Sequence, residues 1–308
     1  MIDIFQSDEF YSFLEGTGYL EPFRFSVYRS GREVGRIQGF IQSNGGALKR
    51  YLCRRAIING GPWFAEDVTS SEVESVLKEC VKGLRKRVIY IEIRNYRDYS
   101  AYNNLFSRNG FKLEPHYDFW VETEDDAWQK RMESSRLRFV KASLKNGASI
   151  IQNPTSEDVT SFYSVLKSLY TEKIKKPLFP LEFFTELQKM PFCKYILVQY
   201  QERVIGGMLC VYDKEATYEW YVCGLDGVYK NIYPSILATY SAIQFAAESG
   251  CKRFDMMGAG APGDGGYGVR EFKAKFGGEL KEFGRFKYVS DKFLYNVGKV
   301  GVSLMKRL

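Results

Sequence analysis

Apolar residues recur along this 308-residue chain with two alternating periods, and the switches between them mark its elements. In SVYRSGREVGRIQGFI, Val27 and Tyr28 lead into Ser30-Gly31 and then Val34, Ile37 and Phe40, which predicts a hairpin. Val73, Val76, Leu77, Cys80, Val81 and Leu84 return at helical spacing, with Ser70 or Ser71 placed to cap that helix. VIYIEIR (88–94) alternates as a strand, NNLFSRNGF carries a short helix closed by Gly110, and FKLEPHYDFWVE is a strand broken by Pro115. A helical region follows from about Asp125 to Asn146, on which Arg131, Arg138 and Lys145, with Lys141, would form a basic stripe. Two further helical patterns flank IKKPLFP, and the apolar runs YILVQYQERVIGGMLCVYD and ATYEWYVCG predict central strands. Pro234 suits the first turn of the next helix. The stretch 253–289 then reads as strand, glycine loop, helical turn, Gly-Gly and strand.

That last order repeats an earlier one. VIYIEIR, the helix closed by Asn109-Gly110 and the strand to Val121 correspond to RFDMMGA, the helix closed by Phe276-Gly277 and the strand to Val289. The repeat predicts an α/β chain of two tandem domains, each a mixed central sheet flanked by helices, spanning 1–122 and 123–290, with a tail at 291–308. When the two copies are aligned on their closing glycines, Lys273 stands where the first copy has Phe106. One active site is expected, in the second copy, with the first holding substrate.

EFKAKFGGELKEF (271–283), with FDMMGAG upstream, resembles the C-terminal signature of the Fem-type aminoacyltransferases, the peptidoglycan bridge-forming branch of the GNAT superfamily. RAIINGGP (55–62) and SSRLRFVKASLKNGASI (134–150) extend the resemblance. It implies two GNAT-like domains in tandem and transfer of an aminoacyl group from a charged tRNA to an amine carried by a cell-wall precursor. The lysine of the Phe272-Lys273 pair is implied to stabilise the oxyanion, a role in which one fixed donor is commonly worth about 3–4 kcal/mol. Phe272, Tyr221, Tyr267 and Asp255 are candidates to line the acceptor channel. Lys173 and Lys176 in the Pro-rich linker, and Arg94 in the first copy, are candidates for phosphate.

The turn Leu225–Asn231 bears on the donor. Acyl-CoA enzymes of this superfamily cradle pyrophosphate on a glycine-rich turn at a helix N-terminus, whereas this turn holds an acid, bulky residues and one glycine, Gly227. No extended heptad arm offers a coiled-coil grip on tRNA. Two alternatives stay open: an N-acyltransferase using acyl-CoA or an acyl-carrier protein on an amino sugar of a surface glycan, and a non-catalytic module binding RNA or phosphorylated glycans.

Composition narrows the chemistry further. The net charge of +7 favours anionic partners. Six cysteines without close pairs indicate neither a zinc site nor a disulfide framework, and no metal or other cofactor is expected. The single histidine, His116, rules against Ser-His or Cys-His catalysis. MIDIFQSDEF lacks the basic start and apolar run of a signal peptide, so a cytoplasmic protein is expected. The glycine loop 258–268 is expected to act as a lid that orders on binding. In the tail, Phe293, Val297, Val300 and Leu304 share one helical face and Lys292, Lys299 and Lys306 another. Such a helix either touches the inner face of the membrane or packs on the second domain.

Overall fold

The computed structural model describes residues 2–43, 53–125 and 127–305, without the side chains of 267 and 300–305. The chain divides into two compact units, Met1–His116 with Glu282–Leu308, and Tyr117–Lys281. Each is a mixed sheet with helices on it.

In the first unit, helix α1 (Asp8–Gly16) precedes the hairpin of β1 (Glu21–Arg29) and β2 (Arg32–Gln42), closed through Ser30-Gly31 as its turn chemistry predicts. β3 (Arg55–Gly60) and the short β4 (Trp63–Phe64) both pair with β2, and helix α2 (Ser70–Leu84) follows. Its cap is Thr69, one residue before the expected serines, because Thr69 and Glu72 form a reciprocal capping box. The apolar face of α2, Val73, Val76, Leu77, Cys80 and Leu84, is buried with Ile37, Ile58, Ile91 and Ile93 of the sheet. β5 (Tyr90–Asn95) runs parallel to β3, and α3 (Asn103–Arg108) leads to β6 (Lys112–Glu114).

The second unit begins with β7 (Tyr117–Glu122). The helical region expected from Asp125 to Asn146 is two helices, α4 (Trp128–Arg131) and α5 (Ser134–Lys145). Met132 adopts an extended backbone and is buried, and the Glu133 N–H donates to the Lys275 carbonyl at 2.9 Å. The break turns Arg131 toward Asp125 and the Glu122 carbonyl, so the basic stripe does not run through it. Next come β8 (Ser149–Ile151), α6 (Ser156–Leu169), a π-helical turn Tyr170–Ile174 and α7 (Leu181–Gln188). The antiparallel β9 (Cys193–Tyr200), β10 (Arg203–Tyr212) and β11 (Ala216–Gly224) lead into α8 (Pro234–Glu248), which buries Ile236, Leu237, Ala238, Ala242, Ile243 and Ala246. β12 (Arg253–Gly258), α9 (Tyr267–Ala274) and β13 (Glu279–Glu282) complete the repeat, before β14 (Arg285–Val289) and α10 (Lys292–Met305).

The final strands of the two copies are exchanged. The first sheet runs β1-β2-β3-β5-β14-β6 and the second β13-β7-β12-β11-β10-β9-β8. The break at Pro115 is therefore a change of sheet, and the compact units divide after His116 and after Lys281 instead of at the expected 122 and 290. β14 inserts between β5 and β6 as β7 inserts between β12 and β13, so the two copies have one topology. The tail helix stands on the first unit: Tyr295 meets Tyr90 edge-to-face at 5.3 Å. Among the described residues no helix is long and apolar enough to cross a membrane.

Candidate active site where two strands part

β11 and β12 are parallel neighbours over only three pairs, Ala216–Arg253, Thr217–Phe254 and Tyr218–Asp255. Beyond them β12 also slips out of register with β7, between Asp255 and Gly258, and Met257 takes a left-handed backbone (φ +52°) rare for a residue with a side chain. Backbone carbonyls leaving a ladder need other donors. Lys273 of α9 supplies them: its Nζ donates to the Met256 carbonyl and lies 3.3 Å from both the Met257 and Gly258 carbonyls. The same ammonium pairs with Glu219 Oε1 at 3.1 Å. Lys273 is 6% exposed and Glu219 7%, so the ion pair is shut away from bulk water.

An ammonium has three protons, and four acceptors surround this one. Its first task here is to hold the parted strand. The turn after α9 fixes its height, since Gly277 (φ +79°) passes so near α4 that a Cβ would sit 2.7 Å from the Arg131 carbonyl. Glu219 was not singled out from the sequence, although an acid in the otherwise apolar ATYEWYVCG was the signal for it. Burial pushes its carboxyl up and Lys273 opposes the rise, while Glu219 Oε2 is buried with no hydrogen-bond partner among the described residues.

Asp255 does not line an open channel. It is fully buried, accepting from Trp120 Nε1 at 3.0 Å and from the Met257 N–H at 2.8 Å, which props the left-handed turn of β12. Burial raises its carboxyl to about 6. Tyr221 stands two residues along β11 from Glu219, beyond a bulge at Trp220 that turns both rings one way, stacked 6.1 Å apart. Phe184 and Tyr170 pack on Tyr221 at 5.1 and 5.9 Å. Tyr170 opens the π-helical turn holding Lys173, so the structure ties that cationic turn to β11; Lys173 and Lys176 are exposed. Phe272 is half-buried, with the Arg136 guanidinium 4.8 Å from its ring and Phe276 at 5.3 Å. The Tyr267 side chain lies outside the described ones; its backbone begins α9.

The glycine loop is already organised in this structure. Asp264 accepts from the Ala261 and Gly266 N–H groups and pairs with Arg270, whose Nη1 also donates to the Ala259 and Ala261 carbonyls. Those backbone donors and Arg270 hold Asp264 down at about 2. In the Leu225–Asn231 turn, the Asp226 carboxylate accepts from Ser235 N at 3.2 Å and from Ser235 Oγ. It fills the N-terminus of α8, the place a pyrophosphate would need.

Arg94 belongs to the first unit. Burial opposes ionisation of Glu92, but Arg94 and Arg285 outweigh it and hold it at about 2. Arg94 Nε is fixed on Glu92 at 2.7 Å. Arg285 in turn donates to His116 Nε2 at 2.8 Å, which requires that nitrogen to be unprotonated, since a guanidinium only donates. Of the cysteines, 80, 210, 223 and 251 are buried thiols, Cys193 is half-buried and Cys53 is exposed.

Comparison with known proteins bears out the resemblance. The FemAB family model matches residues 175–300, which contain β11, its turn, α8, β12, the glycine loop and Lys273. FemX superimposes with a TM-score of 0.69 at 14% identity, covering 96% of this chain and 94% of that one. L-PGS from Bacillus licheniformis gives 0.60 at 15% identity (92% and 88%), and a tandem GNAT protein from the clavulanic acid biosynthesis pathway 0.54 at 8% (88% and 83%). No curated protein sequence matches the chain. The fold is that of tandem GNAT-like proteins.

Proposed function

We propose that this chain is an aminoacyltransferase that moves an aminoacyl group from a charged tRNA to an amine of a phosphate-linked cell-envelope precursor of the peptidoglycan type. The observation that carries the donor half is Asp226: a carboxylate already occupies the helix N-terminus on which a coenzyme A pyrophosphate would rest, and its charge repels a second anion. A tRNA donor sets the reaction in the cytoplasm. The FemAB match over the parted strands and the Phe272-Lys273 pair supports the reaction class.

In this reading the acceptor amine attacks the ester carbonyl, a C–N bond forms and the C–O bond to the ribose breaks. The proton lost by the amine goes to the departing ribose oxygen. Lys273 meets the oxyanion. Two of its contacts, to the Met257 and Gly258 carbonyls, are long at 3.3 Å, and the proton they share is the one exchanged for the developing charge at least cost. Tyr221, Phe272 and Tyr267 line the acceptor channel, Asp255 holds the β12 turn that carries those carbonyls, and Lys173, Lys176 and Arg94 contact precursor phosphates. The second unit is catalytic and the first holds substrate.

The test is calorimetry of the purified protein against coenzyme A, a charged acceptor-stem mimic and a nucleotide-linked muramyl pentapeptide. Binding of the last two and none of coenzyme A is expected. Tight coenzyme A binding would overturn the donor assignment in favour of acyl-CoA chemistry on a glycan amine, and binding of RNA without any transfer would point to a non-catalytic module.

A further inference from the structure

We propose that α10 is a docking surface for an anionic lipid bilayer. The helix is anchored on one side only. Asp291 caps it, accepting from the Leu294 N–H at 2.9 Å, while Tyr295 packs on Tyr90 and Leu294 is half-buried. Among the described residues nothing covers the opposite arc: Phe293 is 75% exposed and Val297, one turn on, 47%. No large apolar side chain among the described residues is more exposed than Phe293. The sequence continues that spacing with Val300 and Leu304.

Beside this arc stand Lys292 and Lys299, both exposed and neither within ion-pair distance of a carboxylate among the described residues. Lys299 Nζ lies 5.7 Å from the centre of the Tyr295 ring, and the side chain is exposed. An apolar stripe bordered by unpaired cations suits the boundary between headgroups and acyl chains, where the ring enters and the ammonium groups stay among phosphates. A protein partner suits it less. Even with Val300 and Leu304 counted, the four side chains present about 600 Å² at most, short of the roughly 800 Å² each side of a stable interface buries. The chain's +7 charge adds long-range attraction to the same anionic surface.

The experiment is flotation of the full chain with vesicles of equal parts phosphatidylcholine and phosphatidylglycerol, and with phosphatidylcholine alone. The full chain is expected to float with the anionic vesicles, less at high salt and less with the neutral ones. Phe293→Ser should lower the partition about tenfold, and Lys292→Glu or Lys299→Glu about fivefold or more each, with unchanged circular dichroism. Phe293 touches nothing in the proposed site, so turnover on a water-soluble acceptor should be the same in Phe293→Ser. The docking assay needs no catalysis and so stands or falls apart from the aminoacyl reading. Absence of flotation at low salt overturns the proposal, as does equal flotation of Phe293→Ser. Loss of self-association in Phe293→Ser, without loss of flotation, would assign the stripe to a second copy of the chain instead.

Discussion

The two copies of the strand–helix–strand repeat differ at one inward-facing position, and the surrounding sheets differ with it. In the first copy β5 stays hydrogen-bonded to β3 through six parallel pairs, from Arg55–Tyr90 to Gly60–Asn95. The helix after it sends in Phe106, fully buried and stacked on Phe286 at 3.9 Å. In the second copy the parallel pairing ends after three pairs, and the helix sends in Lys273. A closed sheet has no carbonyls to spare and takes a ring; a parted one has three and takes a cation. The contrast is the reason for proposing the chemistry at Lys273, because a site needs both an opening and a charge that the fold has a reason to keep there.

The harshest way to break this comparison is to put the cation where the sheet is closed. Phe106→Lys places an ammonium among Phe111, Phe286 and Ile93 with no carbonyl left to receive it, so the first unit should lose several kcal/mol or fail to fold. Urea unfolding is the measurement. A loss under about 1 kcal/mol would show that the strand pairing does not decide which residue this position accepts.

The reciprocal change, Lys273→Met, should cost about 3–5 kcal/mol by stranding Glu219 in the interior, along with at least a hundredfold of transfer activity. Pairing it with Glu219→Leu removes the stranded charge and should recover most of the stability without recovering activity. If the double variant regained activity too, Lys273 would be a strut and nothing more.

Asp255 sharpens the comparison through pH. Its folded value, about 6, lies above that of an unfolded aspartate, so the folded state binds the extra proton. Its contribution is then fully present below about pH 4, falls as pH rises toward 6, and stays lost above, a drop of about 3 kcal/mol. Asp255→Asn should remove that falling limb from a plot of thermal midpoint against pH. Glu92 in the first unit, held low at about 2, has the opposite sign: its contribution is present above about pH 4 and is lost as pH falls toward 2. A wild-type midpoint that is flat between pH 4 and 6 would rule out the buried, raised carboxyl.

Much of this was written into local pattern. Alternation placed the β1–β2 hairpin and β5, and the closing glycines aligned Lys273 with Phe106. The exchange of β7 and β14 was not legible, since the alternation of YDFWV (117–121) fits either sheet and Pro115 marks a break without naming a destination. Met132 hid the division of the helical region because its apolar side chain fits a helix and a buried turn equally. Glu219 lay in plain view but acquires meaning only when β11 and β12 part. The acid at 226 read as a poor host for pyrophosphate; what the residues alone did not give is that it caps the helix itself.

That cap yields the smallest effect and the most specific one. The first copy has no counterpart to the Asp226–Ser235 contact at α8 among the described residues, so the prediction concerns the second unit alone. Asp226→Ala leaves the Ser235 N–H in the first turn of α8 without its acceptor, and should cost about 1 kcal/mol, as loss of a helix cap does. It also removes the negative charge from a helix N-terminus, where a free anion is then favoured by the exposed N–H groups and the helix dipole. Weak binding of inorganic pyrophosphate should therefore appear in the variant by calorimetry and be absent in the wild type. If both proteins bind it alike, the carboxylate is a stabilising cap without any part in excluding a phosphate-bearing donor, and the case against coenzyme A must rest on the reaction itself.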